Sequence, residues 1–160
     1  MYIPIVTITL QEELRQTRPF ARKSGEALVA ILRTATVLES TQNEVLRPHG
    51  ITQTQYNVLR ILQGAGRDGL CGKEVAERLV SRVPDVSRLL DRMVEMGLVN
   101  RERDSDDRRH VTARISVKGK RVLHQATPDL ETVEQRLFRG MAASTVETLV
   151  TALARIRESA

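Results

Sequence analysis

The sequence predicts a mainly α-helical fold that carries one small β-hairpin. Three observations predict it. Apolar residues recur at three- and four-residue spacing along most of the 160 residues. Two Phe, two Tyr and no Trp are too few aromatics for a β-sandwich. Only over residues 98–116 does the pattern change to period two, around a turn packed with Asp and Arg. A hydrophobic content of 41% is enough to fill one core.

The elements follow in order. The apolar start MYIPIVTITL lacks a basic n-region and a small-residue cleavage site and is interrupted by Pro4, so it is expected as an extended arm packed on something, such as a second subunit. Over residues 20–46 no Pro intervenes, and Leu28, Ile31, Leu32, Ala35, Leu38, Val45 and Leu46 predict a long amphipathic helix, stopped by Pro48 and Gly50. Thr52-Gln53-Thr54-Gln55 is a capping-box pattern opening a helix that holds Tyr56, Leu59, Ile61 and Leu62 and ends near Gly64 and Gly66. Residues 72–80 predict a short helix burying Val75, Ala76 and Leu79. After a turn over residues 81–84, Val86, Leu89, Leu90, Met93 and Val94 form the apolar side of a second helix, with Ser87, Arg88, Asp91 and Arg92 facing away. Pro84 is expected in the first turn of that helix, where its missing amide hydrogen has no partner to lose, and Gly97 is its left-handed stop.

Residues 98–103 and 110–116 are the two hairpin strands, joined by Asp104-Ser105-Asp106-Asp107-Arg108. Ser116 caps a helix running to about residue 126, where Pro128 either kinks it or separates it from a continuation through Val133, Leu137 and Met141. A last helix over residues 144–157 carries Val146, Leu149, Val150, Leu153 and Ile156.

Charge is unevenly placed. The net charge of +5 divides into +2 over residues 1–70, +4 over 71–124 and −1 over 125–160. A local basic excess is the footprint of a polyanion partner, although a solvated Arg-rich helix gives the same count. One cysteine, Cys71, allows no internal disulfide and fits a cytoplasmic protein, and no apolar run reaches the roughly 20 residues that span a bilayer. His49, His110 and His124 are scattered, without metal-ligand spacing. No nucleophile elbow or phosphate loop is present, and Asp106-Asp107 beside Arg108-Arg109 reads as neutralised structure; no catalysis, cofactor or metal is expected.

A support helix, a tight turn and a second helix make a helix-turn-helix, whose leading side chains reach base edges in the major groove. Here these are Arg82, Asp85, Ser87 and Arg88. Arg pairs with guanine and Ser serves as donor or acceptor; Asp85 either accepts from cytosine or interacts with its own helix N-terminus. Arg92, Arg101 and Lys118 are expected on phosphates. In the hairpin turn, Asp107 and Arg109 project together, the carboxylate holding the guanidinium extended for a minor groove; Arg108 takes that role if the turn ends later. The competing reading is a winged-helix module that docks a protein.

The series ITQTQYNVLRIL, KEVAERL and VSRLLDRMVEMGLVNRERDSDDRRHVTARISVKG resembles the MarR (multiple antibiotic resistance regulator) family of winged helix-turn-helix transcription regulators, closely over residues 51–119 and by pattern in the flanking helices. The resemblance implies a homodimer joined through its N- and C-terminal helices, with residues 1–50 and 120–160 forming the dimerisation part and 51–119 the DNA-binding lobe. It implies a pseudo-palindromic double-stranded operator, usually repressed, and release by a small effector, phenolic or anionic, from a pocket lined by the helices that hold Leu38, Tyr56 and Leu123. Relatives that sense peroxides use cysteines near the N-terminus, unlike Cys71. Arg82-Val83-Pro84-Asp85 departs from the small polar residues common in this turn, so the operator sequence does not carry over.

Overall fold

A computed structural model of the chain describes residues 8–103 and 111–160. The order is α1 (Leu10–Glu13), α2 (Lys23–Leu46), a 3-10 turn (Arg47–His49), α3 (Gln53–Ala65), β1 (Leu70–Cys71), α4 (Gly72–Arg78), α5 (Val86–Glu95), β2 (Val99–Arg103), β3 (Val111–Ile115), α6 (Val117–Leu137) and α7 (Ala143–Glu158). The mainly helical prediction with one hairpin holds. The sheet has a third strand that the sequence reading missed: β1 pairs antiparallel with β3, Leu70 opposite Ala113 and Cys71 opposite Thr112, giving the order β1-β3-β2. Two residues are too short for a period to show.

Capping sets the boundaries. Thr52 Oγ1 accepts from the Gln55 amide at 3.3 Å and Gln55 Oε1 accepts from the Thr52 amide at 2.9 Å, as the box pattern predicts. Gln55 is buried, and its side-chain amide donates to Met96 Sδ, so the cap of α3 also touches the end of α5. Ser116 Oγ accepts from the Gly119 amide at 2.9 Å and donates to the Gly97 carbonyl at 2.7 Å, joining the start of α6 to the end of α5. Gly97 takes a φ of +70°, and the Leu98 amide donates back to the Met93 carbonyl at 2.8 Å.

Several expectations are corrected. The support helix is shorter than predicted, and Ala76 is exposed; Val75 is fully buried and Leu79 only partly. Seven residues make only two turns, so a third apolar position has no face left. Pro84 lies outside α5, whose first residue is Val86 and whose N-cap is Asp85. Of the two roles left open for Pro128, separation is excluded, since α6 runs through it for 21 residues. Contacts on both sides hold this stretch: Tyr56 Oη lies 3.1 Å from Thr127 Oγ1, and His49 Nε2 lies 2.8 Å from Asp129 Oδ2. At the N-terminus, residues 1–7 of the expected arm lie outside the described residues, and Thr9 caps α1 in place of continuing an extended segment.

The core lies between α3, α4, α5, the sheet and the first half of α6, where Val58, Leu59, Leu62, Val75, Leu90, Met93, Leu98 and Val99 lose nearly all exposure. Of the outer helices, only the last residue of α2, Leu46, joins it. In α2 only Leu46 is buried, and in α7 no residue is. Leu28, Leu32, Val37, Leu149, Val150 and Ile156 remain exposed. Among the described residues no helix is long and apolar enough to cross a membrane.

Gly119 marks a close approach of α6 to the lobe, since a Cβ there would meet the Leu98 carbonyl oxygen at 2.2 Å. Gly119→Ala is therefore expected to destabilise the fold by about 1–3 kcal/mol, the scale of overpacking against backbone. Urea denaturation of the variant beside the parent measures it.

Candidate nucleic-acid interface

The outward face of α5 is the centre of the candidate site. Leu90 and Met93 anchor the opposite side in the core, so the helical period leaves Ser87, Arg88, Asp91 and Arg92 exposed. Arg82 is exposed in the turn before the helix. That turn is tied down at its start, where the Val80 amide donates to Asn57 Oδ1 of α3 at 3.0 Å. Asn57 went unread in the sequence. Its signal was its placement inside a helix, where Asn is a poor former and commonly hydrogen-bonds elsewhere.

Asp85, one of the expected base contacts, accepts from the Arg88 amide at 2.9 Å as the N-cap of α5. Of the two roles the sequence left open, the structure places it in the capping one. Arg88 and Arg92 line a groove of about 710 Å³ between α5 and the start of α3, with Thr52 and Thr54 on the far wall and Asp91 and Glu95 on the near one. The groove thus brings two guanidinium groups and two hydroxyl groups to one outward trough.

The expected phosphate contacts are not equally placed. Arg92 is exposed, whereas Arg101 of β2 pairs with Asp91 of α5 and keeps only 21% of its side chain exposed. Lys118 donates to the Met96 carbonyl at 2.7 Å, where its charge also offsets the negative end of α5. Arg114, unremarked in the sequence, pairs with Glu102 across the hairpin and donates from Nε to the Arg67 carbonyl at 2.7 Å. These cross-element pairs left no signal in the sequence, because they depend on how the hairpin folds back. Asp107, Arg108 and Arg109, the expected wing-tip residues, lie outside the described residues.

A second cavity, of about 390 Å³, opens between α2, α3 and the second half of α6. Leu38 and Tyr56 line it as expected, together with Leu130 and Phe138. The helix that holds Leu123, α6, also lines it as expected, with Leu123 itself buried in the core one to two turns earlier. Arg60, Glu131 and Glu134 supply charge at its rim. Cys71 is half-buried at the start of α4.

The sequence pattern of the MarR family matches residues 49–110. The transcriptional regulator HosA of Escherichia coli is 30% identical over 97 residues, which make up 61% of this chain and 70% of HosA. Among solved structures, the fold is similar to that of MepR from S. aureus, determined in complex with DNA: TM-score 0.76, 22% identity, 82% of this chain and 96% of the other. It is also similar to the organohalide-sensing regulator RdhR in its 2,4-dichlorophenol-bound form: TM-score 0.79, 19% identity, 90% of this chain and 87% of the other. At these identities the two structures establish likeness of fold.

Asp85→Ala removes the acceptor for the Arg88 amide and is expected to cost about 1 kcal/mol of stability, whereas Asp85→Asn keeps an accepting oxygen and most of that stability. Paired chemical denaturation curves distinguish the two variants.

Proposed function

This chain belongs to the MarR family of transcriptional regulators, and from that premise we propose that it is a cytoplasmic, homodimeric repressor that leaves a pseudo-palindromic operator when a small molecule binds. The observation that carries the DNA-binding part is the outward face of α5, with Ser87, Arg88 and Arg92 exposed beside a trough lined by Thr52 and Thr54. Arg88 suits a guanine edge, and Arg92, one turn later, suits a phosphate. Arg82 and the wing residues Asp107, Arg108 and Arg109 complete the proposed contact set. The DNA complex of MepR, a protein of the same fold, supports this reading.

Support for the dimer comes from the apolar surface left bare. Leu28, Leu32, Leu149, Val150 and Ile156 sit on helices with almost no buried residues of their own. Covering the remaining exposed half of each such side chain is worth about 1 kcal/mol, and a second copy offers the matching stripes. Residues 1–50 and 120–160 then form the dimerisation part, and 51–119 the DNA-binding lobe. Two recognition helices would enter successive major grooves roughly 34–36 Å apart.

The effector site is the cavity beside Tyr56, walled by α2, α3 and the second half of α6. Its rim holds one guanidinium and two carboxylates, so its charge favours a neutral, hydrogen-bonding phenol over a carboxylate. RdhR in its 2,4-dichlorophenol-bound form supports the phenolic choice.

Selection of bound duplexes from a random pool is expected to return an inverted repeat with half-site centres about 10 base pairs apart. Arg88→Ala should cost about 1–3 kcal/mol on that sequence and relax preference at one position; unchanged binding would remove Arg88 from the contact set. Sedimentation should give a dimer, with Leu149→Glu shifting it toward monomer. In a thermal-shift series without DNA, 2,4-dichlorophenol should stabilise the protein and benzoate should not.

A further inference from the structure

Arg101 is not held like an ordinary surface arginine. Its stem is largely covered, its Nη1 pairs with Asp91 Oδ1, and its Nε is buried with no hydrogen-bond partner among the described residues. A buried guanidinium nitrogen without an acceptor is costly, so the side chain stays inward only because the Asp91 carboxylate holds its head. The exposed pairs Lys23–Glu26 and Lys73–Glu77 link neighbours on one helix. Asp91–Arg101 instead links two elements, the recognition helix α5 and the wing strand β2, two residues before β2 ends.

We propose that Asp91 is a specificity-determining positioning residue: it keeps Arg101 off the DNA backbone and braces α5 against the wing strand. The inference rests on the DNA-binding reading above. A cation loose on this face would add affinity by counterion release whatever the sequence. Pairing removes that term, and the brace fixes the roll of α5, on which the aim of Ser87 and Arg88 depends. Asp91 itself sits among Arg88 and Arg92 in the groove, and Glu95 is the other carboxylate there.

The test measures affinity of the full chain for the selected operator and for an unrelated duplex across a salt series, in the parent, Asp91→Asn, Arg101→Met and the double variant. Freed from its partner, Arg101 in Asp91→Asn should steepen the dependence of log affinity on log salt by about 0.9 on both duplexes. Preference for the operator should fall about fivefold, the scale of one misplaced hydrogen bond. Arg101→Met should leave the salt dependence of the parent unchanged while losing the same preference, and the double variant should behave as Arg101→Met. A shallower salt dependence in Arg101→Met would overturn the proposal, because it would put the parent's Arg101 on a phosphate. A steepening that survives in the double variant would also overturn it, assigning the effect to the Asp91 charge alone. If Arg101→Met melts below the assay temperature, Arg101→Gln replaces it with the same expectation. A parent that binds no duplex at low salt would overturn the DNA-binding reading itself.

Discussion

The last carbonyls of α5 have no helical partners and are covered by the start of α6, so every one of them that water cannot reach needs a donor from the protein. The chain supplies these donors in a small volume. The Leu98 and Gly97 amides turn back onto α5, Ser116 Oγ reaches the Gly97 carbonyl, and Lys118 reaches that of Met96. Ser116 also caps α6, and its own amide donates to the Leu98 carbonyl at 3.0 Å. One buried serine therefore ends one helix, begins another and aligns the first strand of the hairpin between them. The orientation of α5, and with it the direction of every outward side chain, is set at this junction rather than along the exposed face.

Much of this was legible in the sequence because capping is local chemistry. Thr52 with Gln55, Gly97 and Ser116 each announce themselves within three residues, and the structure uses each as expected. Features set by tertiary context were not legible. Pro84 is compatible with the first helical turn, but Asp85 is the better cap and the helix starts after it. Pro128 carries the ordinary signature of a break, yet contacts from Tyr56 and His49 sit on either side of it and the helix continues. The exposed polar positions of α5 could be listed from its period. That Asp91 is taken by a strand residue ten positions on could not, since nothing local ties them.

The distribution of apolar surface shows two regimes in one chain. The middle of the sequence buries most of its apolar residues, Val80, Val94 and Val117 excepted, while α2 and α7 hold most of theirs in the open. A helix whose stripe is uncovered gains little over the unfolded chain, because isolated helices are marginal in water. Within one copy of the chain α2 and α7 therefore gain little from burial, and their stability is separable on energetic grounds from that of the lobe.

Helix α6 belongs to both regimes. Its first turn is locked to the end of α5 through Ser116 and Gly119, and its far half, beyond Pro128, forms a wall of the cavity that holds Tyr56. Twenty-one residues at 1.5 Å each make a rod of about 30 Å. On a rod of that length a tilt of a few degrees at one end becomes a displacement of about 2 Å at the other, several times the roughly 0.5 Å range over which a hydrogen bond keeps its length. One continuous rod therefore ties the close contact at Gly119 to the cavity wall, and the position of the wall depends on how that first turn is seated.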